Sequence, residues 1–253
     1  LNDIFEKYET SGTWYAHASV GCLHVRPILN MKSNNDVIKM RAIAEEAFEL
    51  VKKFDGSHSG EHGDGISRSE FNPIMFGEKL TNAFRELKSL MDPYGIFNPG
   101  KIVDALKMDD RHLFRFSPGY TASDFKTELD WSTWTGSSNG FQGAVEMCNN
   151  NGACRKLQGG VMCPSFRITG EEKDSTRGRA NSLRLAMSDQ LGPNAMTSPE
   201  MLETMKLCVS CKACKRECPT SVDMSAMKLE VMALNAKQNK LSIHEKLIAF
   251  LPD

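Results

Sequence analysis

Four closely spaced cysteines late in the sequence are the residues best suited to redox chemistry. Residues 208–219 read CVSCKACKRECP, which is the pattern CxxCxxCxxxCP. A loop with this spacing wraps three thiolates around one face of a cubane iron-sulfur cluster. Zinc is the alternative metal, but it usually takes two ligand pairs separated by a longer spacer, without a terminal Cys-Pro. The motif therefore predicts a [4Fe-4S] cluster.

A second group of cysteines precedes this motif and ends in the same Cys-Pro pair. It comprises Cys148, Cys154 and Cys163, with Asn151 where a copy of the motif would have its second cysteine. In two-cluster ferredoxins the fourth cysteine of each motif ligates the other cluster. On that pattern Cys163 completes the first cluster, and Cys218 joins the earlier group at a second site with three thiolates, which is empty, binds a three-iron cluster or takes a non-cysteine ligand. The alternative is a single cluster whose ligands all belong to one motif: Cys208, Cys211, Cys214 and Cys218.

Histidines and a Glu-His pair form another candidate site, in the first half of the chain. Residues 13–26 alternate apolar and polar side chains on either side of Ser19-Val20-Gly21. This pattern predicts two strands joined by a tight turn, with His17 and His24 facing the same side. Glu61 and His62 follow in the glycine-rich stretch SHSGEHGDG. Two imidazoles and a carboxylate are a usual ligand set for a divalent metal, although spacing alone equally allows ordinary surface histidines.

The elements that must position these residues are predicted from apolar periodicity. A long amphipathic helix is expected from Ser33 onward, with Ser33, Asn34 and Asn35 as the N-cap candidates. Its apolar face comprises Val37, Met40, Ile43, Ala44, Ala47, Leu50, Val51 and Phe54. A second helix is expected from about Gly77 to Met91. Further helices are expected at 179–187, at 199–207 with Ser198 as cap, and at 224–237. We expect Met201, Met205, Met224 and Met227 to pack around the cluster.

Periodicity is lost between residues 109 and 143, where Ser, Thr, Gly, Pro and the aromatics Trp131, Trp134 and Phe141 collect. This segment is interpreted as a linker lying on a partner surface. The predicted domains are therefore 1–118, a linker at 119–143, and a helical domain at 144–253. The predicted fold class is α+β for the first domain, followed by an all-α ferredoxin-like domain.

Composition excludes several classes of function. The chain has 253 residues, 40% of them hydrophobic, and a net charge of -1, so it carries no strong field for nucleic acid. No apolar run approaches the roughly 18 to 20 residues that cross a bilayer. Seven of the eight cysteines cluster in the second half without a secretion signal, which favours metal ligands in a reducing cytosol. The start is neither a signal peptide nor a methionine, so we expect a fragment of a longer chain.

Three stretches carry a resemblance to a known family: HASVGCLH, SGEHGDGISR and MDPYGIFNPGKI. They resemble the C-terminal part of FAD-linked oxidases of the vanillyl-alcohol oxidase type, in the D-lactate and D-2-hydroxyglutarate dehydrogenase branch. That branch usually has HxGDGNxH and xEHGxG, so both histidines and the Glu-His pair are retained. Ser19, Val20 and Cys22 replace the Gly-Asp-Asn core of the first motif, which leaves the shape of that loop open.

The cysteine half is similar to the helical ferredoxin module of the glycolate oxidase iron-sulfur subunit and of heterodisulfide reductase subunits. Together the halves resemble, over residues 1–245, the bacterial fused FAD and iron-sulfur proteins of the D-2-hydroxyglutarate dehydrogenase type. The N-terminal domain that holds most of the FAD in that family is missing. The resemblance therefore implies that this piece alone retains no FAD and is inactive.

The resemblance also implies roles for individual residues. His17, His24 and Glu61 would hold a divalent metal, zinc or manganese, and His62 would be the general base. Arg26 and Arg68 are the candidates for binding the substrate carboxylate, because a guanidinium grips both oxygens, and the alternative for each is an ordinary surface arginine. Asn98 would lie beside the flavin, with Glu61 and His62 also at the cofactor.

The function that the resemblance implies is flavin-dependent oxidation of a small 2-hydroxy acid of the D-2-hydroxyglutarate or D-lactate type. Electrons would pass from FAD to the [4Fe-4S] cluster and on to an external acceptor. We expect a homo-oligomer in its full-length form, in the cytoplasm or at the periphery of the inner membrane. The first alternative is a non-catalytic iron-sulfur electron-transfer module that docks on a flavoprotein. The second is a zinc-stabilised interaction domain.

Overall fold

The chain divides into two structural units, Leu1–Tyr120 and Thr121–Asp253. The structure is a computed structural model that describes residues 1–122, 126–134, 138–239 and 243–249. Residues 123–125 and 135–137 of the linker predicted at 119–143 lie outside the described residues. A mixed first unit and a helical second unit confirm the predicted α+β fold class with a helical domain after it.

The first unit carries a hairpin whose register fixes the direction of both histidines. Its elements, in chain order, are α1 (Asn2–Lys7), β1 (Gly12–His17), β2 (Cys22–Pro27), α2 (Asn34–Lys53), α3 (Gly65–Arg68) and α4 (Asn72–Met91). The strands are antiparallel, and Tyr15 pairs with His24 while His17 pairs with Cys22. Since side chains alternate faces along a strand, His17 and His24 lie on one face. Gly21 closes the turn with a φ of 67°, a value that favours glycine.

Helix α2 supplies much of the core of the first unit. Of the three N-cap candidates, Ser33 is the cap, and it accepts a hydrogen bond from the backbone N–H of Asp36 at 3.4 Å. Its buried residues are Val37, Ile43 and Phe48. Two details of the predicted face are wrong. Phe48 is buried because it packs on Phe71, with ring centroids 4.9 Å apart, whereas Phe54 lies beyond the end of the helix and is 75% exposed.

Helix α4 consists of two helical segments that meet at a break. Gly77 has a φ of 76° and a ψ of 165°, and the segment that follows it runs to Met91, as predicted. The helical turn from Asn72 to Phe76 that precedes the break was not predicted. Asp92 then accepts hydrogen bonds from the backbone N–H groups of Ile96 and Phe97, both at 2.9 Å. A hydrogen bond from Lys88 lowers the pKa of Asp92 to about 2, so this turn is held by a carboxylate at neutral pH.

The second unit consists of short helices around a core of methionine and cysteine side chains. Its helices are α5 (Gly140–Glu146), α6 (Pro164–Thr169), α7 (Thr176–Met187), α8 (Pro199–Lys206), α9 (Ala213–Glu217), α10 (Met224–Asn239) and α11 (Ile243–Ala249). Ser198 caps α8, as predicted, by accepting from the backbone N–H of Met201 at 3.2 Å. The four methionines predicted to pack around the cluster are all buried in this core. No helix in the described residues is both long and apolar enough to span a membrane.

Trp131 belongs to the core of the second unit, which corrects its interpretation as an anchor on a partner surface. Its side chain is buried and lies edge-on to Phe141, with ring centroids 4.9 Å apart. The indole Nε1 donates to Glu230 Oε2 of α10 at 2.8 Å. The fully buried Glu230 also accepts from the backbone N–H groups of Glu128 and Leu129. This carboxylate therefore attaches residues 128–131 to α10.

Replacing Glu230 with glutamine is expected to destabilise the second unit by about 1–3 kcal/mol. The amide nitrogen would bring N–H donors to a position surrounded by other donors. Chemical denaturation followed by tryptophan fluorescence measures the change. Glu203→Gln is the control, because the Glu203 side chain is 55% exposed and its loss should cost less than about 0.5 kcal/mol. Equal stabilities of the two variants would contradict the role given to Glu230.

Candidate functional site

Three imidazoles converge on the carboxylate of Glu61 in the first unit. His17 Nε2 lies 2.9 Å from Glu61 Oε2. His24 Nδ1 and His62 Nε2 lie 2.8 and 3.0 Å from Oε1. The structure thus brings together all four residues that the sequence singled out for metal binding and proton transfer.

The local fold explains how these residues meet. His17 and His24 project from one face of the hairpin, while Glu61 and His62 lie in the loop between α2 and α3. A Cβ placed on Gly60 would lie 2.8 Å from Cys22 Sγ, closer than real contacts allow. Glycine at position 60 therefore lets the loop approach β2 closely enough for Glu61 to reach both histidines.

The protonation of His24 follows from its two neighbours. Arg26 Nε donates a hydrogen bond to His24 Nε2 at 2.8 Å. Since a guanidinium has no acceptor, His24 Nε2 must be the unprotonated nitrogen. His24 Nδ1 then carries the proton and donates it to Glu61. The lone pair of His24 is therefore directed at Arg26.

The environment of Glu61 favours its charged form. The hydrogen bond from His24 is the largest cause that lowers the pKa of Glu61 below its usual value, and the nearby imidazoles of His17 and His62 act in the same direction. The rings of His24 and His62 meet edge to face with centroids 4.7 Å apart. A carboxylate held in this way is in the protonation state that a metal ligand needs.

Three side chains of this group have ligand atoms close enough together to define a candidate cation site. Donor atoms of His24, Glu61 and His62 all lie within 4.8 Å of one another. His17 approaches the other oxygen of the same carboxylate. His17 and His62 are 64% and 51% exposed, so the group opens to solvent. By these distances His62 belongs to the group directly, whereas His17 reaches it through the other oxygen of Glu61.

Arg26, Arg68 and Asn98, the other predicted site residues of the first unit, differ in how closely they contact the group around Glu61. Arg26 contacts His24 directly, and its guanidinium also lies over the ring of Tyr15 at 5.6 Å. Arg68 donates to the carbonyl of Gly63, in the loop that carries Glu61, at 3.2 Å. Asn98 lies in the segment after α4, with a φ of 46°. Among the described contacts of Glu61, none involves Asn98.

His58 was not singled out from the sequence, yet it supports the same loop. Its side chain is 5% exposed and packs against the ring of Phe48, with centroids 4.6 Å apart. Burial lowers the pKa of His58, and its Nε2 lies 3.7 Å from Asp64 Oδ1. His58 and Asp64 thus lie on either side of the Glu61-His62 pair. No spacing rule distinguishes this histidine, because the phenylalanine that covers it comes from α2.

Cysteines of both groups meet in the second unit. A small cavity is lined by Cys163 together with Cys208, Cys211 and Cys214. Thr176 and the buried Arg179 also line it. Cys218 is within the described part of the chain but does not line this cavity. Of the two ligand sets left open by spacing, the cavity contains the one with Cys163.

The N-terminus of α7 directs two backbone N–H groups at the sulfurs of Cys163 and Cys154, both members of the earlier cysteine group. Thr176 N donates to Cys163 Sγ at 3.0 Å, and Arg177 N donates to Cys154 Sγ at 3.4 Å. Thr176 Oγ1 lies 2.8 Å from Cys163 Sγ. The hydrogen bond from the Cys163 thiol lowers the pKa of Cys154 to about 6, and the same contact, with burial, raises the pKa of Cys163. Cys154 is therefore the member of this pair that ionises first. In the thiolate form that ligates iron, Cys163 Sγ would accept from both the backbone N–H and the hydroxyl of Thr176.

The other two cysteines of the predicted second site have neighbours of their own. Cys148 is buried, with its Sγ 3.8 Å from Asn150 Oδ1. Cys218 Sγ lies 3.4 Å from Thr220 Oγ1. The described contacts do not bring Asn151 to any of these sulfurs. The described contacts also do not join Cys218 to Cys148 or Cys154.

Two known families match the chain, one in each half. Residues 1–102 match the family described as FAD linked oxidases, C-terminal domain. Residues 144–222 match the 4Fe-4S dicluster domain. The chain thus joins the C-terminal domain of a FAD-linked oxidase to a 4Fe-4S dicluster domain.

Two relatives that match nearly the whole chain carry the same name. The D-2-hydroxyglutarate dehydrogenases of Pantoea ananatis and Escherichia coli are each 27% identical over 282 aligned residues, covering 97% of this chain. The D-lactate dehydrogenase of Archaeoglobus fulgidus is 30% identical over 105 residues, covering 42% of the chain and 23% of the relative. The chain spans about a quarter of the first two relatives' length, 27% in each case. No solved structure matches it significantly.

Proposed function

We propose that this chain is part of a FAD-dependent dehydrogenase of D-2-hydroxy acids, of the D-2-hydroxyglutarate or D-lactate type. In this proposal, electrons leave the substrate through FAD, pass to a [4Fe-4S] cluster and continue to an external acceptor. The observation that carries it is the convergence of three imidazoles on Glu61 in a FAD-linked oxidase domain that shares its chain with a thiol-lined cavity.

The group around Glu61 has the donor chemistry for a divalent cation. We propose that His17, His24 and Glu61 hold zinc or manganese, for which imidazole and carboxylate are ordinary ligands. Such an ion, when bound, would polarise the substrate's hydroxyl and carboxylate oxygens. Arg26 would leave His24 Nε2 and become available to the substrate carboxylate. Arg68, which already contacts the same loop, would contribute a second guanidinium.

His62 is the proposed general base. Its imidazole is half exposed and lies beside Glu61, so it can reach a substrate that occupies the open side of the group. Removal of the hydroxyl proton by His62 would accompany hydride transfer from the substrate carbon to FAD. Asn98 is proposed to lie at the flavin side of the site.

The cavity in the second unit fits an iron-sulfur cluster by its donors. Four cysteine side chains line it, and backbone N–H groups at the start of α7 point toward sulfur. We propose Cys163, Cys208, Cys211 and Cys214 as the ligands of one cluster. The cluster, when bound, would accept electrons one at a time from reduced flavin. Cys148, Cys154 and Cys218 remain candidates for a second site with three thiolates.

Anaerobic mixing of the full-length chain with D-2-hydroxyglutarate, D-lactate or their L-enantiomers tests the function. We expect a D-2-hydroxy acid to bleach the oxidised flavin absorbance and the L-enantiomers to leave it unchanged. A flavin that stays oxidised with every 2-hydroxy acid would instead favour the non-catalytic electron-transfer module.

Replacing Glu61 with glutamine is expected to weaken Mn²⁺ or Zn²⁺ binding by more than about 100-fold. Loss of a residue that only hydrogen-bonds to a metal ligand typically lowers metal affinity 10–100-fold, and Glu61 is itself a proposed ligand. Titration calorimetry of the full-length chain gives the affinity. Glu49→Gln, which changes an exposed carboxylate of α2, serves as the control. Equal affinities in the two variants would show that Glu61 holds no metal.

A further inference from the structure

Thr176 is the residue of α7 that contacts a proposed cluster ligand through two atoms. Its backbone N–H donates to Cys163 Sγ at 3.0 Å, and its hydroxyl lies 2.8 Å from the same sulfur. The residue is buried and lines the cavity with the other three cysteines. When Cys163 is a thiolate, the sulfur has no proton to give, so the Thr176 hydroxyl must be the donor.

Hydrogen bonds to ligand sulfur affect the two oxidation states of a cluster differently. Reduction adds one electron, and part of the added negative charge lies on the sulfurs. Donors aimed at those sulfurs therefore stabilise the reduced state more and raise the reduction potential. The start of a helix of this length adds its positive end in the same direction. The position of Thr176 at the first residue of α7 combines both effects.

We propose that Thr176 is a positioning residue that raises the reduction potential of the cluster held by Cys163, through the hydrogen bond from its hydroxyl to Cys163 Sγ. This inference rests on the proposed [4Fe-4S] cluster. Its consequence is a cluster that accepts electrons from reduced flavin more readily than the same four thiolates would without the hydroxyl.

Arg179 also lines the cavity but is a poorer explanation for a tuned potential. Its guanidinium is buried and satisfied by Asp174 at 3.3 Å and by the carbonyl of Thr204 at 2.8 Å. Removing it would leave Asp174 as an unpaired buried charge and disturb the fold. Thr176 can lose its hydroxyl without this effect, because Ser175 still caps α7 by accepting from the N–H of Gly178.

The experiment compares Thr176→Val and Thr176→Ala with Thr176→Ser and Thr220→Val in the full-length chain, purified anaerobically. Thr220 is the matched control, since its hydroxyl lies 3.4 Å from Cys218, which does not line the cavity. Iron and sulfide content show whether the cluster assembles. Redox titration followed by electron paramagnetic resonance then gives the potential of the signal that Cys163→Ala removes.

We expect the valine and alanine variants to lower the equilibrium constant for reduction about tenfold, which is 59 mV for a one-electron couple. The serine variant should restore the wild-type potential, and Thr220→Val should leave it unchanged. Unchanged potentials in both the valine and the alanine variants would overturn the role of Thr176. A shift in Thr220→Val alone would overturn it in favour of Cys218 as the ligand. Wild-type protein without iron or sulfide would instead refute the proposed function itself.

Discussion

Flavin reduction by a D-2-hydroxy acid is expected to slow by about 10²- to 10⁴-fold when His62 is replaced with alanine in the full-length chain. The reason is that His62 is the proposed base for the hydroxyl proton, and its ring lies against Glu61 and His24 at the open side of the group. Anaerobic stopped-flow absorbance of the flavin measures the rate. Binding of FAD, read from the absorbance of the resting protein, should be retained.

His112→Asn is the matched control for this experiment. His112 is an exposed histidine of the same structural unit and has no part in the group around Glu61, so its variant should reduce flavin at the wild-type rate. An unaltered rate in the His62 variant would remove the general base from the proposal. It would then favour the alternative in which the first unit docks on a flavoprotein without catalysis.

Replacing Cys163 with alanine should abolish the signal of the reduced [4Fe-4S] cluster. Cys163 lines the cavity with Cys208, Cys211 and Cys214. Its Sγ accepts from the backbone N–H of Thr176 and lies 2.8 Å from the hydroxyl of the same residue. Without it the cluster would lack its fourth protein ligand. Electron paramagnetic resonance after dithionite reduction, together with iron and sulfide analysis, gives the result.

Two further cysteine variants make this result decisive. Cys218→Ala should keep the signal, because Cys218 lies outside the cavity lining. Cys22→Ala, in the first unit, controls for the general loss of a thiol. If Cys218→Ala loses the signal and Cys163→Ala keeps it, the four ligands belong to the single motif at 208–218. The proposed crossing of ligands between the two cysteine groups would then be wrong.

The group around Glu61 was predictable because local rules determine most of it. Alternation along a strand puts residues on one face whenever the turn between them is short, and His17 and His24 satisfy that condition. Spacing could not predict which histidines bind a metal and which one acts as the base, because the carboxylate of Glu61 contacts all three imidazoles. The contact of Arg26 with His24 was also unforeseen, although both residues lie on the same face of β2.

Contacts between distant residues account for most of what the sequence did not reveal. Trp131 and Glu230 are 99 positions apart, so no local pattern could distinguish a core tryptophan from one on a partner surface. Phe48 is buried because rings from other segments meet it. Cys163 and Cys218 are each the last cysteine of a group and are each followed by proline, so spacing does not distinguish them. Only the path of the chain around α7 brings Cys163 to the cavity.

His24 Nδ1 faces Glu61, so a cation shared by these two residues would bind through Nδ1 and leave the imidazole proton on Nε2. A protonated Nε2 cannot accept the hydrogen bond that Arg26 now donates to it. In the proposed function this arrangement imposes an order of events. Arg26 must first release the imidazole, and the freed side chain then becomes a receptor for the acid that follows. Without the ion, Arg26 would stay hydrogen-bonded to His24, and only ion binding would free it for the substrate carboxylate. Substrate should therefore bind poorly to protein from which the ion has been stripped.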